Sequence, residues 1–305
     1  MNQWDGKWYE KVVTGGYDYH PDGREYDINF FPLYPGLVWL VMRTGLGFPA
    51  AGAIVSNAAL LGALYFLHRH TAKRFGNSAG RWAVVVLAWF PLSVLCSATY
   101  TESLFLLVTL AFLESFERER YWLGALFAAM VGLCRVLGIM ILPAVLIVAL
   151  REKLSWRAYL PAVAAGLALG GFMVFQALRF HDPLAFMHTQ ANWEHDTVRD
   201  VLLTFYRPNN LLRILTWPTA AALLWSRRAD MYKLDLLYGA FSLALILCSL
   251  RLTSAVRYVF AIAPVFIAAG VWLNQRPRFA TVAVLISAMA LSVASLEWAW
   301  GHFLG

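Results

Sequence analysis

From about residue 50 to residue 300 the chain alternates between long apolar runs and short polar connections. Runs of about 17 to 25 residues match the ~30 Å hydrocarbon core of a bilayer. Read this way, spanning helices are expected at about 51–67, 82–99, 103–116, 121–134, 137–150, 158–180, 210–226, 235–250, 257–274 and 279–300, which makes roughly ten crossings. Segment 30–48, FFPLYPGLVWLVMRTGLGF, is also apolar, but it holds Pro32, Pro35 and three glycines. Proline opens the backbone ladder that lipid requires to be closed, so an amphipathic or re-entrant element is expected there. The expectation is an all-α polytopic membrane protein forming one transmembrane domain over residues 1–305. Residues 1–48 form an outer loop containing that element, and residues 49–305 the transmembrane helices.

Composition agrees. Of the 305 residues, 60% are hydrophobic and 14% charged, and the mean hydropathy is +0.58. A water-soluble fold of this size has too few charges here to cover its surface. Neither low-complexity tracts nor internal repeats are visible, and the lack of paired halves with matching broken helices weakens a transporter reading. Cys96, Cys134 and Cys248 fall inside apolar runs without disulfide or metal-ligand spacing, and read as small core residues. The opening MNQWDGKWYE is polar and lacks the apolar stretch of a cleavable signal, so the first internal helix is expected to lead insertion.

The net charge of +7 is spread over short loops rather than gathered in one patch, which argues against nucleic acid as a partner. Placing the loops around 68–81, 117–120, 151–157, 227–235 and 276–278 inside gives them 14 of the 25 Lys and Arg. The group Arg69, Lys73, Arg74 and Arg81, with no acid among it, fixes the orientation. The first thirty residues then lie outside, as do 12 of the 18 acids. Chemistry is therefore expected on the outer face of a multi-pass cell-membrane protein.

Four outer clusters carry candidate chemistry, because polar residues are costly in this setting and usually functional. In Trp4-Asp5-Gly6-Lys7-Trp8-Tyr9 a carboxylate sits between aromatic side chains, a kind of partly dry setting that can raise basicity. Aromatic faces such as those of Trp4 and Trp8 also suit sugars or lipid headgroups. The plainer reading is an interfacial aromatic belt. The second cluster joins Phe30-Phe31-Pro32-Leu33-Tyr34-Pro35 to Tyr100-Thr101-Glu102-Ser103, where Glu102 and Ser103 also suit a simple helix cap. Third, Arg135 in CRVLG and the pair Arg257-Tyr258 offer planar donors for phosphate, or else arginines that snorkel to the interface. Fourth, loop 181–200 repeats His181, His188 and His195 every seven residues beside Asp182, Glu194 and Asp196. That spacing is not the i, i+4 of a helical zinc pair, so no metal site is assigned. Gln190 and Trp193 are read instead as the lining of an acceptor cleft. Asp18, Asp22 and Asp27 read as solvated loop.

In order along the chain come WDGKWY, FFPLYP, a basic loop, YTESLF, CRVLG, DPLAFMHTQANW and RY before a helix containing Pro264. This series, covering nearly the whole chain, resembles the bacterial members of the family of the second mannosyltransferase of glycosylphosphatidylinositol assembly, often called PIG-V, in the GT-C superfamily. The resemblance implies a GT-C glycosyltransferase fold, a polyprenyl-phosphate mannose donor and inverting transfer on the non-cytoplasmic side. It implies that Asp5 is the acidic residue of the first outer loop and Glu102 that of the second acidic turn. Arg135, Gln190, Trp193 and Arg257 match further motif positions. Members carry a transmembrane helix ahead of the WD motif, whereas this chain begins three residues before it. A further helix upstream, or a protein that lacks it, is implied.

The chemistry so implied needs a base for the acceptor hydroxyl, alignment on the anomeric carbon, and cations for the departing phosphate. Asp5, with Glu102 as the second catalytic acid, supplies the first. Arg257, Arg135 and Tyr258 bind the donor phosphate, and Trp4, Trp8, Tyr34, Gln190 and Trp193 bind the acceptor or sugar. No cofactor is expected, and use of a divalent metal stays open. The partners are a polyprenyl-phosphate sugar, a lipid or glycan acceptor and membrane lipids. A transporter or lipid flippase is the alternative, in which Glu102, Arg135 and Arg257 would line a substrate path.

Overall fold

The structure, a computed structural model, describes residues 3–192, 211–249 and 254–302, and every regular element among them is helical. In chain order the first helices are α1 (Asp5–Gly15), α2 (Leu33–Met42), α3 (Phe48–Phe75), α4 (Asn77–Trp89) and α5 (Glu102–Glu117). Then come α6 (Tyr121–Gly132), α7 (Ile141–Arg151), α8 (Leu160–Phe180) and α9 (Ala185–Asn192). The remaining described helices are α10 (Leu211–Ser226), α11 (Lys233–Cys248), α12 (Ala255–Phe260), α13 (Ala263–Asn274) and α14 (Pro277–Ala299).

Among the described residues, three helical stretches are long and apolar enough to cross a membrane: Phe48–Phe75, Trp156–Phe180 and Pro277–Ala299. The other expected crossings among the described residues are shorter or broken, and the causes are local. The run at 82–99 divides at Pro91, which lacks a backbone donor and holds the preceding Phe90 extended, so Asn77–Trp89 and Pro91–Ser97 meet at 79°. Ser93 Oγ donates to the Leu87 carbonyl near that break. The run at 257–274 divides at Ala261 and Ile262, after which Pro264 sits in the first turn of α13, where its missing N–H costs nothing. A 3₁₀ turn, Val136–Met140, precedes α7.

Residues 3–48 are more ordered than the expected loop. They contain α1 and α2, and Pro35 is accommodated because it lies in the first turn of α2. At ten residues α2 is only about 15 Å long, half a bilayer core. The reading of Asp18, Asp22 and Asp27 as solvated needs correction at Asp27. Its side chain is fully buried, whereas Asp18 and Asp22 keep much of theirs in contact with solvent.

The chain gathers into two compact units, residues 1–60 with 95–195 and residues 61–94 with 196–305. At the centre of the first unit lies α5, buried on almost every side from Glu102 to Phe116, as befits a helix apolar all round. It packs against α6, which in turn packs against α8. In the second unit α13 lies against α4 so closely that a side chain at Gly270 would meet the Ala83 backbone nitrogen at 2.5 Å. His70 of α3 and Asp235 of α11, both buried, pair at 2.9 Å. The face of α14 carrying Val282, Leu285, Ile286, Met289, Val293 and Leu296 is exposed, an apolar surface suited to lipid rather than water.

Candidate active site

Trp4, with φ 49° and ψ −117°, holds a backbone conformation that residues with side chains seldom adopt, and such strain concentrates at functional sites. Asp5 follows as the first residue of α1, where the helix dipole favours a carboxylate. One turn later on the same helix face comes Tyr9, which is buried. Its ring meets the edges of Phe30 at 4.9 Å and Tyr34 at 5.0 Å, while Trp8 stacks on Phe30 at 6.0 Å. The Tyr9 hydroxyl donates to Thr101 Oγ1 at 3.3 Å, and this bond ties α1 to the turn ahead of α5.

That turn is fixed from below. Ser56 Oγ donates to the Tyr100 carbonyl at 3.2 Å and lies 3.0 Å from the Tyr34 hydroxyl. Ser56 is on α3, and α3 can approach because Gly52 lacks a side chain: a Cβ there would meet Thr99 Cγ2 at 2.7 Å. Ser103 Oγ donates to the Cys96 carbonyl at 2.7 Å, so the serine closes the preceding turn instead of capping α5. Glu102, the first residue of α5, is fully buried and accepts from Arg135 Nη1 at 3.0 Å. Arg135 stands in extended backbone between α6 and the 3₁₀ turn, with its guanidinium 6.0 Å from the Phe105 ring centroid. The neighbouring Leu133 carbonyl accepts from the Leu33 N–H at 3.0 Å, which brings α2 to the same junction.

Tyr9 gathers these charges. Burial pushes its phenol well above the ordinary range, the Arg135 charge opposes this, and the Asp5 carboxylate, ahead of that of Glu102, adds to it. Asp5, Glu102 and Arg135 thus act on one hydroxyl. Trp8 and Tyr34 belong to the same cluster, Tyr34 as a fully buried support beneath Tyr9. Trp4 is exposed beside Asp5.

Other expected site residues belong to other elements. Gln190 is half-buried on α9, which rests on a separate aromatic cluster of Tyr19, Tyr26, Phe31, Phe172 and Phe186. The start of α9 is organised by Asp182, which accepts from the Leu184 N–H at 2.9 Å and the Tyr19 hydroxyl at 2.8 Å and pairs with His188 Nδ1 at 2.7 Å. Arg257, buried, and Tyr258, half-buried, are on α12 in the second unit. Trp193 and His195 lie outside the described residues. Among the described residues, no three His, Cys, Asp or Glu side chains gather as metal ligands would. Sequence reasoning does not single out Tyr9, Thr101 or Ser56, since a hydroxyl in an apolar chain becomes informative only once its partner is known.

No protein-family model matches the chain, and no curated protein matches it by sequence. A solved structure does match: the crystal structure of ArnT from Cupriavidus metallidurans bound to undecaprenyl phosphate, with a TM-score of 0.63 and 16% identity. The match covers 91% of this chain and 56% of ArnT, so the chain spans little more than half the length of that protein. The likeness shows that the all-helical fold of this chain is shared with ArnT. The narrower resemblance to the second mannosyltransferase family rests on the motifs alone.

Proposed function

We propose that this protein is a membrane glycosyltransferase that takes a sugar, mannose by the motif resemblance, from a polyprenyl-phosphate carrier on the outer side of the bilayer. The observation that carries the reading is the cluster on Tyr9, where a half-buried carboxylate at a strained helix start shares its field with the ion pair of buried Glu102 and partly buried Arg135. The ArnT fold supports the donor class, because that protein is bound to undecaprenyl phosphate. Both charges of the pair sit at helix ends, an arrangement suited to an interfacial enzyme rather than to a transport path.

In the proposed reaction Asp5 accepts the proton of the acceptor hydroxyl as that oxygen attacks the anomeric carbon. The bond from that carbon to the phosphate oxygen breaks, and the polyprenyl phosphate leaves with the electron pair. A phosphate leaving group needs no proton, so one base and nearby cations suffice. By the motif resemblance, Arg257 with Tyr258 is the proposed binder of the phosphate. Arg135, neutralised by Glu102, contributes less charge there than a lone arginine, and Glu102 acts by holding it. Trp4 and Trp8 offer faces for the sugar, and Gln190 and Trp193 polar contacts for the acceptor.

The test is incubation of the purified protein in liposomes with polyprenyl-phosphate mannose and a membrane lipid extract, followed by mass spectrometry. An acceptor heavier by one hexose, formed only with the protein, is the expected result. Consumption of no donor, and movement of the donor across the bilayer instead, would replace the reading with a flippase.

A further inference from the structure

Asp27 is a fully buried acid that the proposed chemistry does not use. It opens the 3₁₀ turn Asp27–Asn29, directly ahead of the Phe30 that packs against Tyr9 and Trp8. One carboxylate oxygen accepts from the Asp18 N–H at 2.7 Å. The other lies 3.0 Å from Lys11 Nζ, on the helix that begins with Asp5. Lys11 also reaches Asp18 at 3.6 Å, and its ammonium stands 5.7 Å from the Trp8 ring centroid. Beside this turn the Tyr17 hydroxyl donates to the Phe30 carbonyl at 2.7 Å. One carboxylate thus meets α1, the segment leaving α1, and the turn that seats the aromatic floor under Tyr9.

We infer that Asp27 is a positioning residue: through Lys11 and the Asp18 backbone it fixes the orientation of α1, and with it the placement of Asp5 over the Tyr9 cluster. The inference rests on the role proposed above for Asp5. Staking a loop alone does not call for this arrangement. Burying a carboxylate is expensive unless it is paired and hydrogen-bonded, and the Tyr17 bond already ties the loop to Phe30. The burial is explained if one rigid anchor must serve all three segments. Lys11 responds in kind: burial disfavours its charge, yet the adjacent carboxylate of Asp27, then that of Asp18, holds its ammonium above the ordinary range. Asp22, bonded to the Tyr26 hydroxyl at 2.9 Å and the Arg24 N–H at 3.0 Å, has no such link to α1 and serves as the control.

The experiment compares wild type, Asp27→Asn, Lys11→Gln, their combination and Asp22→Asn in liposomes, by turnover and by amide hydrogen exchange along Asp5–Gly15. Lys11→Gln changes a half-exposed side chain to one whose amide still donates toward Asp27, and it gives a second, gentler variant should Asp27→Asn fail to fold. Either single change is expected to speed exchange in α1. Each should also lower kcat by roughly 10- to 100-fold, the scale of a small misplacement of a reacting group. KM for the donor and the pH limbs of the rate should stay in place, because the base itself is untouched. The combined variant should be no worse than the poorer single variant, as members of one link are not additive. Wild-type exchange in both single variants would show that Asp27 does not hold α1 and would overturn the inference. Faster exchange with unchanged turnover would reduce Asp27 to a structural tie and equally overturn it. Absence of transfer by the wild-type protein is a different failure: it removes the glycosyltransferase reading, and a positioning role with it.

Discussion

A buried carboxylate has to be neutralised where it sits, and for Glu102 the neutralising group is Arg135 at 3.0 Å. Removing either charge leaves the other stranded, so Glu102→Gln is expected to destabilise the protein by about 3 kcal/mol, the lower end for a broken buried pair because the amide oxygen still accepts. Denaturation in detergent of Glu102→Gln, Arg135→Gln and the double variant checks it. The double variant should lose clearly less than the two single losses combined. At Asp182, burial favours the protonated acid, but the bonds from His188, Tyr19 and the Leu184 N–H outweigh it and hold the carboxyl below its ordinary value of 3.8. A depressed carboxyl contributes stability above its unfolded value and loses it as pH falls through the folded one. Wild type should therefore lose its advantage over Asp182→Asn below about pH 4, where melting curves of the two should converge. Glu102 and Arg135 were legible in the sequence because a charge amid apolar neighbours is expensive and demands a reason, and Asp5 was legible through its aromatic flanks and the WD motif. Asp27 was not, since its neighbours Asp22, Arg24 and Glu25 are polar and solvated, and only the fold reveals that its side chain turns inward.

At the scale of elements, close helix contacts depend on the missing side chains of particular glycines. Adding a methyl group at Gly270 would press on the Ala83 backbone at 2.5 Å, and backbone cannot swing aside as a side chain can. Gly270→Ala is expected to cost about 1 to 3 kcal/mol, the usual range for overpacking, read as a lowered denaturation midpoint in detergent. Gly170→Ala on α8, where nothing lies within 4 Å, should be neutral or slightly stabilising through helix propensity. The helices themselves were largely legible: apolar runs at 103–116, 121–134 and 158–180 correspond to α5, α6 and α8. The breaks were less so. Hydropathy measures length and apolarity, and it passes over the backbone demand of Pro91, which bends one run into a pair, and over the break at Ala261 and Ile262 in another. It also stops α3 at residue 67, although the helix continues to Phe75, because basic residues such as Arg69 and Lys73 suit a helix that leaves the hydrocarbon core.

For the whole molecule, the three described helices long and apolar enough to cross a membrane and the exposed apolar face of α14 support a membrane protein, while the sidedness rests on the basic loops. A cysteine at Arg24, which is well exposed, should react with an impermeant reagent added to intact cells, and one at Asn77 should not, in a background with Cys96, Cys134 and Cys248 replaced. The opposite labelling would reverse the orientation and move the chemistry inside. The central claim, that the carboxylate of Asp5 takes the acceptor proton in a polyprenyl-phosphate sugar transfer, is tested most directly by the turnover of Asp5→Asn. Asparagine keeps the shape and loses the proton acceptor, so the variant should insert and bind donor normally yet transfer on the order of 10² to 10⁴ times more slowly across the pH range. Asp22→Asn should match wild type. Near wild-type transfer by Asp5→Asn, with a folded Glu102→Gln protein inactive, would contradict the account and make Glu102 the base.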